Sequence, residues 1–173
     1  VGAKDMLADN LIERVPRPDI CLGQHIMPGR AGTVRHTAGP IMAGCDSLRL
    51  RVFGKSAHAS MPHNSIDPPY IAAMIVTRLQ AIVGREVAPH EFFVISVGEL
   101  HSGDKNNIIP ESALLKGTCR ASDPHMREEY PRILKRIADG IALETRAEIK
   151  VQYFPGPPVT INDEEAVLTG QKA

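Results

Sequence analysis

Between residues 46 and 153 hydrophobic and polar positions follow two regular periods, and on either side of that stretch they follow none. In Ser47-Leu48-Arg49-Leu50-Arg51-Val52-Phe53 the apolar Leu48, Leu50 and Val52 share one face and Arg49 and Arg51 the other. That alternation predicts a half-buried strand. The spacing then changes, and Ile71, Met74, Ile75, Leu79 and Ile82 recur as on one face of a helix. Asp67 before Pro68 and Pro69 marks its start, since an acid satisfies free amides there and proline suits the first turn. Gly84 is its expected stop. Further strands are expected over Phe92 to Val97 and over Ala113 to Arg120. A second helix follows Asp123-Pro124 with Tyr130, Ile133, Leu134, Ile137 and Ile141 on its apolar side. Pro131 implies either a late start or a kink, because its ring removes a donor and crowds the preceding turn. Ala147 to Tyr153 supplies the last strand.

The order strand, helix, strand, strand, helix, strand is the split βαβ arrangement. It predicts an α+β, ferredoxin-like sandwich: a four-stranded antiparallel sheet with two helices on one face. Residues 1–45 hold Pro16, Pro18, Pro28 and Pro40, a short helical opening (Met6, Leu7, Leu11, Ile12) and a brief apolar run at Ile20-Cys21-Leu22. Such a segment does not build a core of its own and reads as the edge of another domain. Phe154-Pro155-Gly156-Pro157-Pro158 reads as a rigid exit. The chain is expected to be a piece of something longer.

Composition narrows the function. A 43% hydrophobic share over 173 residues supports a real core. Lys and Arg total 20, as do Asp and Glu, for a net charge of +0, and aromatics are only 4%. This predicts no nucleic-acid partner, neither through phosphates nor through base stacking. No apolar run approaches the roughly 18 residues of a membrane span, so no membrane association is expected. Cys21, Cys45 and Cys119 are odd in number and form no C-x-x-C, which points to a reduced, cytoplasmic setting and to core thiols.

Four residues carry the candidate chemistry. His58 lies in Gly54-Lys55-Ser56-Ala57-His58-Ala59, just past a strand and before the stiffening Pro62. Asn107 stands directly before Ile108-Ile109-Pro110, Arg120 ends a strand, and His25 lies in Gln24-His25-Ile26-Met27-Pro28. Each has a plain structural alternative: a surface imidazole, a turn asparagine that bonds its own backbone, a solvated charge, and a histidine without the companions zinc requires. His36, His63, His90, His101 and His125 have no context that raises them above ordinary surface roles.

Taken in order and spacing, these segments together with Gly39-Pro40-Ile41-Met42-Ala43, Asp67-Pro68 and Gly117-Thr118-Cys119-Arg120 resemble a known family. The chain looks like the middle of a dinuclear metal amidohydrolase of the aminoacylase and carboxypeptidase superfamily. It is most similar to the hippurate hydrolase and N-acyl-amino-acid amidohydrolase branch. The resemblance implies a lid and dimerisation domain at 46–153, flanked by catalytic-domain segments at 1–45 and 154–173. It implies a catalytic role for His58, which binds the scissile carbonyl and in dimeric members reaches the partner's active site. By the same resemblance Asn107 binds substrate or the oxyanion, Arg120 the substrate carboxylate, and His25 a metal. Preorganised donors and a guanidinium fork suit those tasks.

The intact enzyme is then expected to use two divalent ions (zinc, manganese, cobalt or nickel) on an N-acyl amino acid or peptide, and to form a homodimer through the lid. The family's early ligand motifs, its paired glutamates and its last ligand histidine have no match here. One histidine does not hold two metals, so this chain alone is expected to bind none and to be inactive. The alternative is a free-standing dimerisation module without catalysis. Its surfaces would be the strand at Phe92 to Val97 and the helix from Asp67.

Overall fold

In a computed structural model that describes residues 2–172, the chain divides into two units. The smaller takes in residues up to His36 and from Asp163 onward. It opens with two short helices, α1 (Ala3–Ala8) and α2 (Leu11–Arg14), neither of which buries a residue. The apolar run Ile20-Cys21-Leu22 forms no element and is exposed.

The larger unit, Thr37–Asn162, holds the regular part of the sequence. Its elements are β1 (Gly39–Met42), β2 (Gly44–Phe53), β3 (Ala57–His58), a 3-10 turn (Pro62–Asn64), α3 (Pro68–Arg85), β4 (Phe93–Ser102), β5 (Ile108–Ile109), β6 (Ser112–Ala121), α4 (Pro124–Thr145), β7 (Glu148–Phe154) and β8 (Thr160–Asn162). Four strands form one antiparallel sheet in the order β4-β6-β2-β7. Both helices pack on its inner face, α3 over β4, β6 and β2, and α4 over β7 and β6. This is the expected ferredoxin-like sandwich. The smaller unit ends with α5 (Glu164–Gly170), capped by the Asp163 carboxylate.

Alternation decides which side chains enter the core. Leu48, Leu50 and Val52 of β2, Ile95 of β4 and Leu115 of β6 meet Ile71, Ile75, Leu79 and Ile82 of α3 and Tyr130, Leu134 and Ile141 of α4. Tyr130 lies between two other rings, 5.3 Å from Phe93 and 5.9 Å from Tyr153.

Three local expectations change. The first helix runs through Gly84, because the amides of Glu86 and Val87 both reach the Ile82 carbonyl (2.9 and 3.1 Å) and close the turn without a left-handed residue. The second helix starts at Pro124, where Asp123 accepts from the His125 amide at 2.9 Å, and it keeps Pro131 inside. A late start is thereby ruled out. The strand expected to end at Val97 runs on to Ser102, past an irregularity between Val97 and Glu99 where the alternation breaks at Gly98. Two pairings were not foreseen: β1 with β8, and β3 with β5.

Candidate functional site

At one end of the sheet β2 runs out at Phe53, and the Gly54 amide still reaches across to the Glu111 carbonyl at 2.9 Å. Lys55 and Ile66 then exchange two backbone hydrogen bonds (2.9 and 3.1 Å), closing the segment between them into a loop. Glycine is required at position 54, since a Cβ there would lie 2.1 Å from the Ile66 carbonyl oxygen.

Inside this loop β3 pairs with β5, Ala57 opposite Ile109 and His58 opposite Ile108. The Ala59 amide donates to the Asn107 carbonyl (3.0 Å), and the Ser56 hydroxyl to the Ile109 carbonyl (2.8 Å). Ile109 is buried and anchors the ribbon. His58, on β3, and Asn107, in the turn directly before β5, are some fifty residues apart in sequence and are brought close in backbone, both with exposed side chains. Among the described residues the Asn107 amide group has no hydrogen-bond partner, while the His58 Nδ1 lies 2.7 Å from the Ser60 hydroxyl oxygen.

Arg120 is not part of this group. It sits near the far end of β6, opposite Cys45 of β2 and Val94 of β4. Nine residues of extended chain separate it from Glu111, roughly 30 Å at about 3.3 Å per residue. Its side chain is exposed and has no ion-pair partner among the described residues. His25 belongs to the smaller unit, exposed, with its Nδ1 2.7 Å from the Ile26 carbonyl. A carbonyl only accepts, so Nδ1 carries the hydrogen and Nε2 keeps a lone pair, as a metal-binding imidazole requires. One such nitrogen does not make a metal centre. Among the described residues no group of three or more His, Cys, Asp or Glu is placed to hold an ion.

The strongest polar cluster was missed by sequence reasoning and lies at the Arg120 end. Asp46, only 1% exposed, receives Nε of Arg127 at 2.8 Å, the Gly156 amide at 2.7 Å, and further hydrogen bonds from Arg127 Nη2 and the Tyr153 hydroxyl. Burial pushes its carboxyl up, but these donors outweigh burial and hold it below the usual 3.8. Burial, with the Asp46 bond, raises the Tyr153 hydroxyl, and the Asp46 carboxylate raises Arg127. Gly156 fits here because a Cβ would strike the Cys45 carbonyl oxygen at 2.1 Å. Burial also pushes the Cys119 thiol up to about 11, so it stays protonated and inert near neutrality. Both oxygens of the Asp46 carboxylate are filled from within the cluster, and Arg127 Nη2 also donates to the Gly156 carbonyl at 3.2 Å. The cluster is structural.

Comparison with known proteins places these features in context. The family model of the peptidase dimerisation domain of the M20 peptidases matches residues 43–146. A hippurate hydrolase of Campylobacter jejuni is 37% identical over 167 residues, covering 96% of this chain and 43% of that protein. An N-acyl-L-amino acid amidohydrolase of Geobacillus stearothermophilus is 34% identical over 165 residues, covering 95% of this chain and 44% of its own length. Among solved structures, a Bacillus subtilis protein described as a dinuclear metal-binding peptidase aligns with a TM-score of 0.61 at 27% identity, over 79% of this chain and 33% of that one. The chain thus spans less than half the length of these curated relatives.

Proposed function

The chain belongs to the peptidase dimerisation-domain family of the M20 peptidases, and from that membership we propose that it forms the lid of a metal-dependent amidohydrolase. The enzyme cleaves the amide of N-acyl amino acids or small peptides. Residues 46–153 are the lid and dimerisation domain in this reading, and 1–45 and 154–173 belong to the catalytic domain. The observation that carries it is the β3–β5 ribbon, which brings the His58 and Asn107 segments together at one end of the sheet with both side chains exposed.

Amide hydrolysis gathers negative charge on the carbonyl oxygen. Neutral N–H donors held in advance stabilise that charge more than they stabilise the substrate, and so raise kcat. His58 and Asn107 supply such donors. Arg120 offers a planar fork to the substrate carboxylate. A bound pair of divalent ions (zinc, manganese, cobalt or nickel) supplies Lewis acidity for the attack of water, and His25 offers one of its ligands. The other ligands and the general base come from outside this chain.

Arg120 near one end of β6 and His58 in the β3–β5 ribbon beyond the other end are well separated, which supports a homodimer in which each lid serves two reaction centres. Arg120 faces the centre of its own protomer, and His58 with Asn107 complete the centre of the partner. Among the described residues no helix is long and apolar enough to cross a membrane, and the three free cysteines suit a cytoplasmic setting. The test is His58→Ala in the complete enzyme. A fall in kcat of about a hundredfold with KM little changed is expected, and a near-normal kcat rejects the role.

A second reading, association without catalysis, is favoured by β4, which lies at the sheet edge with Val94 and Leu100 exposed. Light scattering over a dilution series tests it. A strict monomer at the highest concentration removes it.

A further inference from the structure

We propose that Ser60 is a positioning residue that locks His58 into the single tautomer carrying its hydrogen on Nε2. The inference rests on the role given to His58 above and adds a residue that no motif marks.

Two groups of Ser60 converge on the Nδ1 of His58, its backbone N–H at 3.2 Å and its hydroxyl at 2.7 Å. A backbone amide can only donate. Nδ1 is therefore an acceptor, and a neutral imidazole must carry its hydrogen on Nε2. The hydroxyl, able to play either part, is driven to donate to the same nitrogen.

The backbone holds this arrangement. The Met61 amide donates to the His58 carbonyl at 2.8 Å, closing His58 to Met61 into a tight turn. The Asn64 and Ser65 amides donate to Met61 and Pro62 (3.1 and 3.0 Å), which braces the far side of the turn. On the near side His58 is pinned by its pairing with Ile108. Both partners of the Nδ1 contact are thus fixed before any ligand arrives. The chemical consequence is direct. An oxyanion needs a donor, and the other tautomer would present a lone pair to it. A free imidazole populates both forms, whereas Ser60 removes the unproductive one.

The experiment combines a spectrum with kinetics. Long-range nitrogen–proton correlation on the 173-residue chain, with His58→Gln to identify the signal, is expected to show Nδ1 as a bare nitrogen and Nε2 as a protonated one. Ser60→Ala leaves only the longer 3.2 Å backbone contact and loses the 2.7 Å hydroxyl one that supplies most of the bias; it shifts both resonances part of the way toward the averaged values of free imidazole, and Ser60→Thr returns them. In the complete enzyme Ser60→Ala lowers kcat by about tenfold with KM within about twofold, and Ser60→Thr recovers most of the loss. Averaged resonances in the unsubstituted chain, or resonances that Ser60→Ala does not move, overturn the inference. If His58→Ala abolishes turnover while Ser60→Ala moves neither signal nor kcat, the role of His58 stands and the inference alone fails. If the resonances move as expected but His58→Ala is without effect on kcat, the tautomer lock stands and the catalytic role of His58 falls.

Discussion

The two ends of the β2–β6 pair treat polar groups in opposite ways. At the Asp46 end a buried carboxylate is met by a guanidinium, a phenol and a backbone amide, and both of its oxygens are bonded. At the His58 end the loop backbone is tied by the amides of Gly54, Lys55 and Ala59 and by the Ser56 hydroxyl, yet the Asn107 side chain stays exposed and without a partner among the described residues. Low dielectric explains the first, because an unmatched charge there would be ruinous. Only water access, or a ligand, explains the second. Rigid backbone carrying unspent side chains is what distinguishes a site from a structural cluster.

The sharpest way to break this contrast is to unpair the closed end. Asp46→Asn should lower unfolding stability by about 3 kcal/mol in a denaturant titration, since the half-buried Arg127 would lose its counter-charge and the buried carboxamide would meet donors suited to an anion. The same change should leave the β3–β5 ribbon intact in any molecules that stay folded. At the open end the expected pattern is reversed. His58→Ala should cost about 3 kcal/mol of transition-state stabilisation in the complete enzyme, yet change thermal stability by no more than about 0.5 kcal/mol.

Gly54→Ala probes the backbone beneath that end. The clash with the Ile66 carbonyl should destabilise the fold by about 1 to 3 kcal/mol. It should also speed amide exchange at Lys55 and Ala59 before any change is seen at Leu48 or Leu115. Acid should act on the closed end alone and more gently. The Asp46 carboxyl is depressed on folding, so its contribution is fully present above the unfolded value of 3.8 and is lost as pH falls through the lower folded one. Stability attributable to Asp46, read as the difference from Asp46→Asn, should be flat above about pH 5 and shrink below about pH 4.

Much of the sheet and both long helices could be read from the chain, because Leu48, Leu50 and Val52 alternate and Ile71, Ile75, Leu79 and Ile82 follow a helical repeat over many residues. Asp46 was equally readable and was passed over. It falls two residues before Leu48, on the inward face, where a charge demands partners. Those partners, Arg127 and Tyr153, come from distant elements and have no sequence signal that links them. The ribbon around His58 was harder still. Each of its strands has only two residues, too short for any period, and their pairing is set by turns and by Gly54. The expected stop at Gly84 and the expected strand end at Val97 both fell short, since a helix closed by other amides runs through the first and a strand with an irregular register runs past the second. Ser60 could not be singled out without the turn that carries it to His58.

The claim on which the rest depends is that one lid serves two centres, with Arg120 at one end and His58 at the other. Mixed dimers of the complete enzyme test it most directly. His58→Ala and Arg120→Ala variants, each nearly inactive alone, are dissociated and reassociated together. If the two residues act in different centres, half of the dimers carry one intact site, and about a quarter of the unsubstituted activity returns. If mixing restores nothing although hybrid dimers form, both side chains serve the same centre, and the account is wrong.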